Sequence, residues 1–317
     1  MIMRNLSGSI LVVGPTPAVQ RRIVLDELVR NRVNRAAEVE VLASGKGLNC
    51  ARAVLRLGAE TDLLLFLGGA PGDWFRAVAL AEGIRVHAVM IPAPTRTCIT
   101  LIESGSGTET EIVENAAPVG AGDAEGFLRL FAALVPKASV VVFTGTLPQE
   151  MPVDAYARMV RTAADYGASA IVDAQGASLL AAAEAAPLLV KPNTHELAAA
   201  TGLDCSSRAG LRKAVARLLG LGARYVLVTD GQNPAVLGSC EGFLEIQPPT
   251  VPPGNSIGSG DSVAAGVAVA LREGKSLADA IRFGIACGSA NASGAGYGRI
   301  DPGLARGLVS GIRTASF

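Results

Sequence analysis

Residues 254–266 read Gly254-Asn255-Ser256-Ile257-Gly258-Ser259-Gly260-Asp261-Ser262-Val263-Ala264-Ala265-Gly266. A flexible turn, Gly258-Ser259-Gly260, runs into a carboxylate, Asp261, and then into a helical stripe through Val263, Val267 and Leu271. Glycines let successive backbone N–H groups point into one concavity, and a helix N-terminus adds about half a positive charge, so an anion is favoured there. Among those donors an acid is held in its charged form. It can take a proton from a hydroxyl held nearby while the N–H groups stabilise charge developing on a transferring phosphoryl group. The plain alternative is that Asp261 is a helix cap.

Gly120-Ala121-Gly122-Asp123 has the same lettering and precedes its own stripe, Phe127, Leu130, Phe131 and Leu134. The residues after each acid separate the two. Ala264, Ala265 and Gly266 let a helix pack deep, whereas Glu125 and Arg129 suit a surface helix. Asp123 is therefore expected to be an N-cap and Asp261 the chemical group.

The chain has 317 residues, half of them hydrophobic, enough for one large α/β core, and its 28 basic and 28 acidic residues cancel. Such a balance argues against a nucleic-acid surface, so an anionic ligand must be caught locally. Cys50, Cys98, Cys205, Cys240 and Cys287 are scattered, odd in number and without C-x-x-C spacing. That pattern points to a reducing, cytoplasmic setting and away from a zinc site. Residues 9–13 read as a first buried strand rather than part of a signal peptide, and no apolar run approaches membrane-spanning length.

Buried strands are predicted at 10–13, 62–67, 140–143, 170–173, 188–190 and 225–229, where short apolar runs occur. Helices are predicted at 48–57, 74–82, 153–166 and 207–219, each stopped by a glycine: Gly58, Gly83, Gly167 and Gly220. This alternation predicts a mainly parallel sheet with helices on both faces and ligands at the strand C-terminal edge. Residues 21–42 and 97–113 break the rhythm with charge-interleaved alternation, which predicts a small antiparallel sheet standing off the body as a lid. No linker or repeat divides the chain, so residues 1–317 are read as one domain, with lid segments at about 16–45 and 92–115.

There is no G-x-x-x-x-G-K-[ST] segment, and no G-x-G-x-x-G follows the first strand. Gly45-Lys46-Gly47-Leu48-Asn49 stands out instead. Its glycines let the backbone approach a ligand, Lys46 can offer a point charge to phosphate, and Asn49 offers donor and acceptor to a hydroxyl pair. A glycine-rich turn with Lys46 in solvent is the plain alternative.

Seven segments in order carry a resemblance: Pro17-Ala18, residues 43–49, Thr95-Arg96-Thr97, residues 144–148 (T-G-T-L-P), residues 191–196 (K-P-N-T-H-E), Thr229-Asp230-Gly231 and residues 258–262. Over nearly its full length the chain resembles the ribokinase-like, or PfkB, sugar kinases, and within them the branch holding tagatose-6-phosphate kinase and 1-phosphofructokinase. The resemblance implies an αβα sandwich with a mainly parallel central sheet and a β lid, and a homodimer formed through that lid. It also implies ATP as donor, Mg²⁺ as helper and a hydroxyl of a ketohexose phosphate as acceptor. It makes Asp261 the base and the N–H groups from Gly258 through Ser259 and Gly260 to Asp261 the anion hole. Asn193 and Glu196 match the N-x-x-E that orders Mg²⁺-bound waters, although Glu196 equally suits a first helical turn. Lys191, Thr229, Gly231, Gly260 and Asn291 match nucleotide-binding positions, with Ser289 and Ala290 as a wall for adenine. Arg35, Lys46 and Arg96 are placed around the acceptor's phosphate, with Gln20, Gly45, Asn49 and Thr146 near the sugar.

One residue departs from the branch. An N-P-x-x-D after the first strand normally ends in a carboxylate that accepts from sugar hydroxyls, whereas residues 16–20 read T-P-A-V-Q and end in Gln20. The acceptor's identity is thereby open. A kinase for a plain sugar or nucleoside, or a sugar-phosphate-binding protein with weak turnover, stays a competing expectation. The basic cluster argues against the former, and Asp261, Gly260, Asn193 and Glu196 argue against the latter.

Overall fold

The computed structural model describes residues 8–317. Short apolar runs form β1 (Ser9–Val13), the lid strands β2 (Ala18–Leu25) and β3 (Glu38–Ser44) come next, then α1 (Lys46–Arg56) and β4 (Thr61–Leu67). There follow α2 (Gly69–Ala81), β5 (Arg85–Met90), two more lid strands, β6 (Thr97–Glu103) and β7 (Glu109–Val113), α3 (Ala121–Leu134) and β8 (Ala138–Thr144). Next come α4 (Ala155–Asp165), β9 (Ser169–Asp173), α5 (Gly176–Ala183), β10 (Leu189–Val190), α6 (Thr194–Thr201), α7 (Arg208–Leu221) and β11 (Tyr225–Asp230). Last are the hairpin β12 (Asn233–Ser239) and β13 (Gly242–Gln247), then α8 (Ser259–Arg272), α9 (Leu277–Ala292), α10 (Pro302–Leu308) and β14 (Arg313–Ser316).

Ten strands form the main sheet in the order β14-β13-β12-β11-β10-β9-β8-β1-β4-β5, parallel from β11 through β5 and antiparallel at the other edge. Strand side chains alternate between two cores, as period-2 geometry demands. Ile10, Val12, Leu63, Leu65, Val140 and Val142 face the layer of α1, α8 and α9, while Leu11, Val13, Leu64, Phe66, Val141 and Phe143 face α3, α4 and α7. The chain winds one way from β1 to β4 and β5 and the other way from β8 to β11. The crevice between the C-terminal ends of β1 and β8 is therefore the topological switch point, where open parallel sheets hold ligands.

The lid is a four-stranded sheet, β3-β2-β6-β7, whose central pair is parallel, with Val19 opposite Thr97 and Leu25 opposite Glu103, rather than antiparallel throughout. Both central strands leave the body at the same root, and the long crossover between them returns along β3 and passes through α1, β4, α2 and β5, so they must run the same way. Helix α2 begins at Gly69, ahead of the predicted residue 74. Pro71 lies in its first turn, where a missing N–H costs nothing. Helix α7 runs through Gly220 and stops at Gly222, which supplies the positive φ of 134° that Gly220 does not. Asp123 does not cap α3. Gly120 is the N-cap, and Asp123 sits half-buried in the first turn. The five cysteines are free thiols. No helix among the described residues is long and apolar enough to cross a membrane.

Candidate active site

Helix α8 positions the 254–266 stretch. Gly258 caps it in the left-handed region, with φ 85°, and a Cβ there would come within 3.0 Å of the Gly298 nitrogen and 3.2 Å of the Tyr297 Cα. Behind it Gly266 fits against Cys287 and Gly284, Gly284 against Val267, and Gly288 against Val263 and the Ser259 carbonyl. These notches bring α8 and α9 into backbone-close contact, so the start of α8 is pressed down into the crevice. The N–H groups of Gly260 and Asp261 find no acceptor among the described residues. They are free to meet an anion.

Asp261 is buried, and its Oδ2 accepts from Asn49 Nδ2 at 3.0 Å. Burial pushes its carboxyl up to about 6, aided by the negative Asp173 and opposed by Lys46, by the Asn49 hydrogen bond and by Lys191. Were Asp261 to act as the general base it would have to be ionised, and its raised pKa means that acid would neutralise it early. The pH profile of kcat/KM is expected to be flat above about 6 and to fall below it towards tenfold per unit. A profile that stays flat to pH 5 would remove Asp261 as the titrating base.

Asp173, the last residue of β9, was not singled out in the sequence, yet it sits at the charged centre of the site. Lys46 Nζ lies 3.2 Å from its Oδ1 and Lys191 Nζ 3.3 Å from its Oδ2. Burial favours the neutral acid, but the two ammonium groups outweigh it and hold Asp173 below the usual carboxylate range. Lys191 Nζ also stands 3.4 Å from where a Gly260 Cβ would be, bringing a predicted nucleotide contact to the anion turn. The signal for Asp173 was a carboxylate ending an apolar strand at the ligand edge.

Lys46 is not in open solvent. Besides Asp173 it reaches Glu196 Oε1 at 2.8 Å, and the carboxylates of Asp173, Glu196 and Asp261 raise its pKa against the opposing effect of burial. Glu196 and Asn193 close a capping box on α6: Asn193 Oδ1 accepts from the Glu196 N–H at 2.8 Å, and Glu196 Oε2 from the Asn193 N–H at 2.9 Å. The helix-start role foreseen as the alternative for Glu196 is thus realised through one oxygen, and the other faces Lys46. Thr229 bridges to Asn193 beside this cap, and Gly231 turns the chain into β12 with φ 57°.

A cavity of about 170 Å³ opens at the switch point, walled by Gly14, Thr16, Lys46, Gly47, Arg96, Val113, Thr144, Gly145, Thr146, Ala174 and Gln175. Gly45, next to the wall residue Lys46 but not itself on the wall, has φ 108° with Thr16 and Pro17 close behind, and a Gly14 Cβ would strike Gly47 at 2.4 Å, so only bare backbone fits there. The Thr146 hydroxyl lies 3.2 Å from that of Thr16. Tyr156, also unmarked in the sequence, steadies this turn by donating to the Thr144 and Gly145 carbonyls. Arg96 donates to the Thr16, Pro17 and Glu114 carbonyls and so stitches the lid root to the cavity wall.

Three predicted residues lie elsewhere. Arg35 is exposed on the loop joining β2 to β3, at the opposite end of the hairpin from Ser44 and Gly45. Within one chain that is roughly 20 Å from Lys46 at about 3.3 Å per residue. Gln20 is buried in the lid sheet, its Nε2 donating to Thr100 Oγ1 at 2.8 Å, and does not line the cavity. Asn291 is fully buried in α9 and acts as a clamp. Its Nδ2 donates to the Ile257 carbonyl and Ser259 Oγ, both at 3.0 Å, and its Oδ1 accepts from the Gly298 N–H. Ser289 and Ala290 beside it are buried too, leaving little wall for a flat ring.

Residues 8–302 match the description pfkB family carbohydrate kinase. A 1-phosphofructokinase of Xanthomonas campestris pv. campestris is 33% identical over 270 residues, covering 84% of this chain and 85% of that protein. The crystal structure of a putative phosphofructokinase from Staphylococcus aureus superposes with a TM-score of 0.78 at 27% identity, covering 96% of this chain and 98% of the other. The tetrameric inhibited form of phosphofructokinase-2 from Escherichia coli gives a TM-score of 0.86 at 24% identity over the same shares, a likeness of fold. With the match running from β1 into α10, across the glycine turn, the cavity and the lid, the chain belongs to the pfkB family of carbohydrate kinases.

Proposed function

We propose that this chain is an ATP-dependent kinase that transfers the γ-phosphoryl group to a hydroxyl of a ketohexose phosphate, of the tagatose 6-phosphate or fructose 1-phosphate type. The observation that carries the reading is the switch-point cavity with the Arg96 and Lys46 cations on its wall. A plain sugar needs neither, whereas a phosphate dianion is well served by a guanidinium fork and a mobile ammonium. The similarity to the Xanthomonas 1-phosphofructokinase supports the same substrate class.

In this reading Asp261 takes the proton from the acceptor hydroxyl, and Asn49 keeps the carboxylate turned towards it. The Gly260 and Asp261 N–H groups, with Lys191 beside them, hold the phosphoryl oxygens as charge builds. Thr229 and Gly231 border the nucleotide. Asn291 serves it indirectly, by fixing Ile257 and Ser259.

The donors at this edge fit Mg²⁺. Asp173 and Glu196 offer carboxylate oxygens and Asn193 an amide oxygen, and among the described residues Asp173 Oδ2 makes no hydrogen bond despite the nearby Lys191. No group of three His, Cys, Asp or Glu among the described residues could hold a metal by itself, so the ion would be met through water and carried on the nucleotide. Bound there it would offset phosphate charge.

ATP consumption against a panel of sugars, sugar phosphates and nucleosides tests the reading. Turnover confined to ketohexose phosphates is expected. Preference for an unphosphorylated acceptor would overturn the substrate class, and binding without turnover would overturn the enzyme.

The lid supports self-association. The registers put Ile23, Val39, Val41, Ile99, Leu101 and Ile112 on one face. Val39, Val41 and Ile112 are 47%, 44% and 52% exposed. A four-stranded sheet with an uncovered apolar face is stabilised by a second copy. Sedimentation at micromolar concentration should therefore show a dimer, or a multiple of one, and Val41→Glu with Ile112→Glu should yield monomers. A wild-type monomer would remove the dimer while leaving the lid.

A further inference from the structure

Lys46 stands between two sites that a sugar-phosphate kinase must fill in the same cycle. It is the first residue of α1, directly after Gly45 at φ 108°, and its side chain is 39% exposed on the cavity wall. Its ammonium contacts Glu196 Oε1 at 2.8 Å and Asp173 Oδ1 at 3.2 Å, the carboxylates best placed to meet a nucleotide-borne cation. Lys191 cannot take over this duty. It is 3% exposed, sits on the opposite oxygen of Asp173 and adjoins Gly260. Without Lys46 the Asp173–Glu196 pair would keep Lys191 as its one cationic partner, and two carboxylates left so would draw in another cation.

We propose that Lys46 is a tethered cation shared by acceptor and metal: it neutralises the Asp173–Glu196 pair while the cavity holds no anion, and transfers to the acceptor's phosphate when that binds. The transfer exposes Glu196 and Asp173 to the divalent ion. A compact ammonium on a flexible four-carbon stem suits such an exchange, since the charge moves while the backbone stays. The proposal rests on the reading of the cavity as the acceptor-phosphate site. Its thermodynamic content is reciprocal: the acceptor tightens metal binding by some factor, and the metal must tighten acceptor binding by the same factor. Couplings of this kind are typically about 5- to 150-fold.

The test uses the full chain with ADP present throughout, since the ion is carried on the nucleotide, and takes Mn²⁺ and fructose 1-phosphate as probes. Free Mn²⁺ is followed by electron paramagnetic resonance, corrected for ADP and sugar-phosphate blanks, and sugar-phosphate binding by calorimetry. In the wild type each probe should tighten the other by a common factor of about five or more. Lys46→Met should bind Mn²⁺ more tightly than the wild type, bind fructose 1-phosphate more weakly, and show a factor near one. Glu196→Gln removes one of the tethers, so it should bind fructose 1-phosphate more tightly than the wild type in the absence of metal. This second variant keeps the proposal open to refutation should Lys46→Met fold poorly.

Weaker sugar-phosphate binding in Lys46→Met with Mn²⁺ affinity and coupling unchanged would overturn the shared cation and leave the phosphate site standing. Unchanged sugar-phosphate affinity in that variant would overturn the phosphate role of Lys46 itself. If the wild type binds neither fructose 1-phosphate nor tagatose 6-phosphate, the proposed substrate class is contradicted. The Mn²⁺ comparison, which needs no sugar, then judges the tether alone.

Discussion

Asp261→Asn is expected to lower kcat by about 10²- to 10⁴-fold with little change in ATP affinity. The amide keeps the shape of the side chain and can still partner Asn49 after an amide flip, but it cannot accept a proton from the acceptor hydroxyl. Asp123→Asn is the matched control. The two acids occupy the same position in their helices, third in the first turn after a glycine cap, and differ in surroundings. Asp261 is buried beside Asn49 and within the field of Lys46, Asp173 and Lys191, whereas Asp123 is half-buried at the start of a helix on the far layer. Steady-state kinetics on both variants decides between them. Equal losses, or loss from the Asp123 variant alone, would put the chemistry at the wrong glycine turn.

The second large effect is expected at Arg96. Its Nε–H and one N–H on each terminal nitrogen are spent on the Pro17, Glu114 and Thr16 carbonyls, which leaves one N–H on each terminal nitrogen for a ligand. That is the fork a phosphate takes. Losing a charge-assisted contact typically costs about 1.5–3 kcal/mol, so Arg96→Ala should reduce kcat/KM for the phosphorylated acceptor by roughly 10- to 100-fold. Because the same guanidinium holds the lid root, some loss will be common to every acceptor. The ratio of phosphorylated to unphosphorylated acceptor is therefore the quantity to measure. Arg96→Lys sharpens it, keeping the charge while breaking the fork. A ratio unmoved by Arg96→Ala would mean that Arg96 only stitches the lid.

Much of the architecture was legible because it depends on local pattern. Continuous apolar runs gave β1, β4, β8, β9 and β11, and helix-ending glycines at 58, 83 and 167 lie where positive φ is needed. Pairing is less legible, since β2 and β6 are joined by a crossover of many elements and nothing local in either strand marks the parallel register. The site divides in the same way. Glycine turns and the Asn193–Glu196 spacing announce themselves over four residues, whereas Asp173, Tyr156 and the buried Arg52 acquire meaning only through contacts distant in sequence. Arg52 binds the Ala43 carbonyl at the lid root, the Tyr297 carbonyl and Glu82 at once, and on a helix of this composition it reads as an ordinary surface arginine. Asn291 was marked as a nucleotide position for its place in the chain. Its inward-facing amide could be seen only when α9 and residues 257–298 were brought together.

The glycine notches between α8 and α9 bear on how mutational surveys of this protein should be read. A methyl group at 288 would meet Val263 Cγ2 at 2.6 Å and the Ser259 carbonyl at 3.2 Å, and one at 284 would meet the Val263 carbonyl at 2.7 Å. Neither position faces the cavity, yet either methyl would lever the start of α8, and with it the Gly260 and Asp261 N–H groups, out of line. In a growth-based scan these glycines would therefore score alongside Asp261. Ranked by intolerance alone, a helix that does not line the switch-point cavity would pass for part of the catalytic apparatus, and abundance measured in parallel with activity would be needed to separate a displaced scaffold from a missing functional group.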